Sequence, residues 1–384
     1  MCSVGGVLKG REIVCFSGEW EGDPLSSAHV MRILARENRV LWVESAPRRT
    51  ADVAATFRNL SGAMHGLQER HPNLQVLTPL ALPFEGNDLV RAANAALLKA
   101  QVLRAMQKLG FREPISWSFT ASSAPVAGTL GESLVVDQSG DELGDAGGRE
   151  GRQLERRLLL NADVVLCFSS SLRADKERFH PQTHLVRHGV DLEHFARALD
   201  PGTTVPPDLR GEPGPVIGFW GRLGEWIDLD LVRYVADAFS GGTVVLLGAS
   251  AIDLKPLQRA RNVRVLRPRP YADLPRFAKA FDVALLPHRL TPLTLAADPL
   301  EVREFLAAGL PVVSTALPEV ERLGLCRIGR DPDEVVRHIG AAIAAGPGPS
   351  PERAAQMKGE GWEARVAELE QVVATALSKR KRAA

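Results

Sequence analysis

The chain has 384 residues, 45% of them hydrophobic, with a formal net charge of +1. That length is too great for one ordinary core, so two domains are expected, and the near-neutral charge excludes a broad basic surface for nucleic acid. No apolar run approaches membrane-spanning length, and "MCSVGGVLKGREIVCFSG" lacks a signal-peptide apolar region; the four cysteines (Cys2, Cys15, Cys167 and Cys326) form no C-x-x-C pair and no set with histidines at ligand spacing. A globular cytoplasmic protein without disulfides or structural zinc is the expectation.

In chain order, "EIVCFSG" (12–18) reads as a strand and "SAHVMRILAREN" (27–38) as the helix after it, with Ser26 or Ser27 as its cap. Further apolar runs at 39–45, 74–80, 114–119, 133–138, 163–169 and 183–189 continue the pattern, mostly with helices between them. Continuous apolar strands alternating with helices predict an α/β fold with a parallel sheet covered on both faces. "ARALDPGTTVPPDLRGEPGP" then interrupts the periodicity with Pro and Gly and reads as a linker over 196–214. Strands resume at 215–221, 242–249, 262–268, 282–288, 311–315 and 325–331, and "WEARVAELEQVVATAL" is a last helix. The expected organisation is a domain over 1–195, the linker, a second doubly wound domain over 215–358, and a terminal helix and basic tail over 359–384, with a cleft between the two domains.

In such sheets ligands bind beyond the carboxyl ends of the strands. Polar residues there are Asp137, Gln138 and Asp141 in the first half, and Arg222, Arg269, His288 and Arg289 in the second. Asp298 and Glu304 follow in "DPLEVREFLAAGLPVVST" (298–315). In that stretch Pro299 suits the first helical position, Gly309 suits the C′ position, and Pro311 prevents continuation. A helix N-terminus opening on a loop favours a bound anion. Glu301 and Glu304 fit two readings, a solvated face that suits the helix dipole or, for Glu304, an acceptor for hydroxyls carried by that anion. Glu301 is expected to turn outward, because a second acid beside an anion is repelled.

The residues also carry a family resemblance. "ADVVLCFSSSLRADKERFHPQTHLVRHGVDLEHF" (162–195), "IGFWGRL" (217–223), "YADLPRFAKAFDVALLPHRLTPLTLAADPLEVREFLAAGLPVVST" (271–315) and "GWEARVAELEQVV" (361–373) resemble the GT-B glycosyltransferases of family 4. The resemblance implies a GT-B fold of two Rossmann-like domains, the first binding the acceptor, the second a nucleotide sugar, and the last helix crossing back to the first. It implies a retaining, hexosyltransferase-like enzyme of polysaccharide, glycolipid or other glycoconjugate biosynthesis, with neither a cofactor nor a required metal. The donor is expected to be UDP-linked, with GDP and dTDP as alternatives, and the acceptor a glycan, a lipid or a small molecule.

The resemblance also distributes roles. The turn at Asp298, Pro299 and Leu300 receives the diphosphate, with Arg222 and Arg289 adding charge. Glu304 takes the ribose hydroxyls, and Arg269 and Tyr271 lie by the base. Asp137 and its neighbour Asp141 face the donor sugar, and with Arg222 they are the catalytic candidates. The first loop, "SGEWEGDPLSSAH" (17–29), reaches the cleft, so Trp20, Ser26 and His29 are the acceptor-side candidates. Asp137 as a turn cap, His29 as a packing residue and Tyr271 as a loop aromatic are the competing structural readings.

Three departures stand out. "GRLGEWIDLDL" offers Glu225, Asp228 and Asp230 but no Lys after its arginine, Ala296 stands eight residues before Glu304 where the family pairs a second Glu, and Glu301 stands where closer relatives carry Lys. They keep open a degenerate GT-B subunit; a sugar-nucleotide epimerase of the same architecture is a further reading, and the missing export signal and returning last helix argue against a two-domain solute-binding protein. Finally, the stretch 89–112 has five basic residues and no acid, and "KRKR" (379–382) adds a basic tail. These suggest peripheral contact with the inner face of a membrane.

Overall fold

The computed structural model describes residues 7–21, 26–45, 66–82, 87–138, 148–257 and 259–383. The chain folds as two compact units, Met1–Arg187 with Arg365–Ala384, and His188–Ala364.

The strands of unit 1 are β1 (Glu12–Ser17), β2 (Arg39–Glu44), β3 (Leu67–His71), β4 (Leu74–Leu77), β5 (Ile115–Ser118), β6 (Leu134–Asp137), β7 (Val164–Cys167) and β8 (Thr183–Leu185). They form one sheet in the order β3-β4-β2-β1-β5-β6-β7-β8. Helices α1 (Ser26–Leu34), α2 (Asp88–Leu109), α3 (Gly148–Asn161) and α4 (Ser170–Glu177) connect them. The inner strands are parallel, with Ile13 of β1 opposite Val40 on one side and Ile115 on the other. They are buried on both faces, which is why their sequences read as unbroken apolar runs. β3 was not expected. It is an antiparallel edge strand of polar residues, joined to β4 at a tight turn where Asn73 takes a φ of 63°.

Unit 2 contains α5 (Leu192–Ala196), β9 (Val216–Trp220), α6 (Leu229–Ala238), β10 (Thr243–Leu247), β11 (Val263–Leu266), α7 (Leu274–Ala280) and β12 (Val283–Leu286). It continues with α8 (Pro292–Ala296), α9 (Leu300–Ala307), β13 (Val312–Thr315), α10 (Pro318–Leu323), β14 (Arg327–Gly329), α11 (Pro332–Ala345) and α12 (Pro351–Ala355). The sheet runs β11-β10-β9-β12-β13-β14, and every pairing in it is parallel. The winding reverses between β9 and β12, so this is the switch point where a doubly wound sheet opens a crevice. Aromatic residues fill the core beneath it, with Trp220 and Phe305 ring centroids 4.3 Å apart.

The expected linker at 196–214 is not one. Phe195, Ala198 and Leu209 are buried in the core of unit 2, Thr243 Oγ1 donates to Pro213 O at 2.9 Å, and Arg264 pairs with Glu212 at 3.0 Å. The Pro and Gly residues shape short turns, at Arg197–Leu199 and Pro207–Leu209, against that core. The boundary therefore lies at Arg187, ahead of this segment, and the second unit does not begin at 215 or end at 358. The last helix, α13 (Trp362–Ala383), starts against Gly189, where a Cβ would lie 2.7 Å from Trp362 Cδ2. From Arg365 it belongs to unit 1, where Val366, Leu369 and Val373 are buried and Arg380 pairs with Asp163. Among the described residues, no helix is long and apolar enough to cross a membrane.

Candidate functional site

The carboxyl edge of the unit 2 sheet gathers most of the residues singled out in that half. β9 runs into Gly221 and Arg222, β10 into Gly248, and β12 into Pro287, His288 and Arg289. A Cβ on Gly248 would lie 1.8 Å from Gly221 O, so the two turns touch backbone to backbone. Gly248 has a φ of +153° and Gly221 one of +139°, conformations that suit glycine. Arg222 is exposed, with its guanidinium carbon 6.0 Å from the Trp226 ring centroid and no carboxylate paired with it among the described residues. Arg289 is also exposed, and its backbone N–H donates to Trp226 O at 2.7 Å.

Helix α9 begins one residue later than its sequence suggests. Pro299 is the N-cap, with φ −66° and ψ 120° and no side-chain capping bond, and Leu300 is the first helical residue. The N–H groups of the first turn thus have no side-chain cap, the arrangement that favours an anion. Glu304 lies a turn further in and is buried, with its Oε2 accepting from Trp220 Nε1 at 2.7 Å. This charge-assisted bond fixes the carboxylate at the sheet edge. Trp220 had no role in the sequence reading, and its packing between Phe305 and Phe281 makes it a rigid support.

Glu301 is a correction. It does not turn outward. A Cβ on Gly221 would meet Glu301 Oε1 at 2.7 Å, so the carboxylate lies directly over the glycine that precedes Arg222. The glycine leaves the space, and a side chain one turn before Glu304 fills it.

Asp298 is buried as well. Its Oδ1 accepts from Arg303 Nη1 at 2.5 Å, and Arg303 Nε lies 3.6 Å from Glu360. Arg303 is itself 2% exposed. A guanidinium that deep requires a carboxylate, so this geometry ties Asp298 Oδ1 to the helix, while its Oδ2 is buried without a hydrogen-bond partner. The segment expected beside a base is anchored too. Tyr271 stacks on His194 with centroids 4.1 Å apart, and Arg269 pairs with Asp208 at 2.8 Å. His288 is buried against Phe219, and burial alone lowers its pKa to about 4.

In unit 1, Asp137 is a second correction. It is wholly buried at the end of β6, 3.7 Å from Lys176 Nζ, which also lies 3.4 Å from Glu155. Burial by itself lowers the Lys176 pKa, but Asp137 and Glu155 outweigh it and the net shift is upward. Asp137 is an interior ion-pair partner of Lys176. Asp141 lies outside the described residues. Trp20 is half-buried with its edge on Trp42 at 4.9 Å, and Arg32 sits over its ring at 4.9 Å. Ser26 opens α1, and His29 is half-buried in its first turn. Ser27 bonds inward to Ser17 Oγ at 2.8 Å.

Unit 1 has a cavity that none of these three acceptor-side candidates lines. It measures about 900 Å³ and lies beyond the carboxyl ends of β1, β2 and β4, between α2 and α3. Its walls come from helix faces about 60 residues apart in sequence, which no local motif reveals.

No family model matches the chain. "Putative teichuronic acid biosynthesis glycosyltransferase TuaH" of Bacillus subtilis (strain 168) is 28% identical over 181 residues, and the match spans 45% of this chain and 45% of that protein. Among solved structures, sucrose-phosphate synthase from Thermosynechococcus elongatus superposes with a TM-score of 0.67 at 16% identity, over 96% of this chain and 100% of that one. Anabaena HepE in complex with UDP and glucose gives 0.62 at 16% identity, over 95% and 99%. The E. coli trehalose-6-phosphate structure bound with UDP-2-fluoro glucose gives 0.65 at 14% identity, over 95% and 98%. With two Rossmann-like parallel-sheet units and these neighbours along nearly its whole length, the chain has the GT-B fold.

Proposed function

We propose that this protein is a glycosyltransferase that takes a sugar from a nucleoside diphosphate, UDP in the first place, and transfers it with retention to an acceptor hydroxyl in glycan or glycolipid assembly. The observation that carries the reading is the α9 turn at the β9/β12 switch point. An uncapped helix N-terminus, an exposed arginine on the neighbouring strand end and a carboxylate fixed one turn inward together match a diphosphate followed by a ribose diol. The similar Anabaena HepE structure holds UDP and glucose, the similar E. coli structure holds UDP-2-fluoro glucose, and the relative TuaH is named a glycosyltransferase.

In this reading the α9 N–H groups and Arg222 stabilise charge on the departing diphosphate as the glycosidic bond breaks. Glu304, oriented by Trp220, accepts hydrogen bonds from the ribose hydroxyls. Metal plays no part in the scheme, so transfer persists in EDTA. The Glu301 carboxylate favours a second reading, a GT-B subunit without activity of its own, because it adds negative charge beside the diphosphate position. Hydrolysis or transfer of the donor sugar by the purified chain separates the two.

Contact with an anionic membrane is proposed for α2, where Leu89 is 78% exposed and Leu103 39% exposed on a helix that also carries Lys99, Arg104 and Lys108. The test of the donor reading is a thermal-shift series with UDP, GDP and dTDP. The expected result is a rise in midpoint, largest for UDP. No rise with any of the three contradicts the reading.

A further inference from the structure

The cavity of unit 1 has a composition that says what it holds. It lies beyond strand carboxyl ends, the edge at which such sheets bind ligands. At about 900 Å³ it is at the upper end of the range for small-molecule sites. One wall is a face of α3 that presents Arg149, Gln153 and Arg157 at a spacing of four residues. From α2 come Asp88, Arg91 and Asn94 together with an apolar strip of Ala92, Ala95 and Leu98, and Phe16 and Leu80 extend the apolar surface.

The charges around the cavity are mostly spoken for. Arg91 pairs with Asp88 and lies 3.6 Å from Glu150. Glu44 accepts from the Trp20 backbone N–H at 2.8 Å and from Thr78 Oγ1 at 2.6 Å. Arg149 and Arg157 are left. No carboxylate pairs with either among the described residues, and Arg157 reaches only Pro125 O, at 3.4 Å. Eight residues of helix separate them, roughly 12 Å along the axis. Among the described residues the site therefore has two guanidiniums without a carboxylate partner on α3, and an apolar strip of Ala92, Ala95 and Leu98 on α2.

We propose that this cavity binds an anionic amphiphile, a molecule whose phosphate or carboxylate meets Arg149 and Arg157 while an apolar portion lies along Ala92, Ala95 and Leu98. Its role as the acceptor site rests on the glycosyltransferase reading; the binding itself does not. Guanidinium is suited to both anions because its fork matches their paired oxygens.

The test uses the full chain and three probes below micelle-forming concentration: octyl phosphate, octyl glucoside and inorganic phosphate, with binding followed by calorimetry. Octyl phosphate is expected to bind at least ten-fold more tightly than either of the others. The double variant Arg149→Ala/Arg157→Ala loses about ten-fold of that affinity, and Arg149→Lys/Arg157→Lys falls between the double variant and wild type. Both arginines are exposed, so an unchanged melting midpoint is expected and separates lost binding from lost fold. Equal binding of octyl phosphate and octyl glucoside, or no loss in the alanine variant, overturns the assignment. Inorganic phosphate binding as tightly as octyl phosphate reduces the site to a plain anion site and overturns the amphiphile. UDP titrated into the same proteins reports separately. If wild type binds octyl phosphate but not UDP, the donor reading falls and the cavity assignment stands.

Discussion

At the carboxyl edge of the unit 2 sheet, side chains are locked before any ligand arrives. An indole N–H holds Glu304 at 2.7 Å, a carboxylate holds Arg303 at 2.5 Å, and two glycine turns meet with no room for a Cβ. At the same edge of the unit 1 sheet, α2 and α3 stand apart around about 900 Å³, with two arginines that meet no carboxylate among the described residues. A preorganised edge suits a ligand of fixed chemistry, because little ordering remains to oppose binding. A roomy edge with spare charge suits a ligand whose shape varies. In the proposed function the first holds a nucleoside diphosphate and the second an acceptor.

Arg222→Ala should show the largest effect on the preorganised edge. In the proposed function this side chain faces the departing diphosphate, so its removal should lower kcat by about 10²–10³, as loss of one such donor does elsewhere. Arg222→Lys recovers only part of this, since a point charge does not reproduce a planar fork. Single-turnover kinetics read both values, and full activity in the alanine variant removes Arg222 from the site.

His288 gives the next effect, on stability. Burial holds its folded-state pKa at about 4, against an ordinary value of 6.5. The neutral form is therefore favoured by folding, and its contribution is complete above pH 6.5 and lost as pH falls toward 4. Over that window the loss amounts to about 3 kcal/mol. Melting midpoints between pH 7 and pH 4.5 should fall less steeply in His288→Phe than in wild type. Parallel curves contradict the burial account.

Glu301 gives the smallest effect and the opposite sign. Its carboxylate lies over Gly221, so Glu301→Gln should tighten UDP binding by about three- to ten-fold, the worth of one partly screened charge. Uridine, which lacks phosphate, should bind both forms alike. A weaker Gln variant would assign Glu301 a direct role in holding the donor.

The comparison also shows what local sequence carries. The α/β class and nearly every strand were legible, because strands buried on two faces leave unbroken apolar runs. β3 left no such run, being an edge strand of polar residues. The segment 196–214 carried the composition of a linker, yet Phe195, Ala198 and Leu209 tie it to a core that only the fold assembles. Asp137 was legible as a polar residue at a strand end, but its partner Lys176 lies on a helix that follows the next strand. Trp220 and Glu304 are 84 residues apart, so the bond that orients the carboxylate had no local signature. The unit 1 cavity depends on two helix faces brought together by β5 and β6, and was missed for the same reason.

The central claim is that Glu304 reads the ribose of a bound nucleotide. Calorimetry with UDP and with its 2′,3′-dideoxy analogue, on wild type and Glu304→Ala, tests it most directly. Hydrogen bonds to a charged group contribute roughly 1.5–3 kcal/mol, so wild type should prefer UDP over the analogue by about ten- to a hundred-fold. Glu304→Ala should bind UDP more weakly by a similar factor and lose the preference, with its fold intact. Undiminished UDP binding by Glu304→Ala would contradict the account.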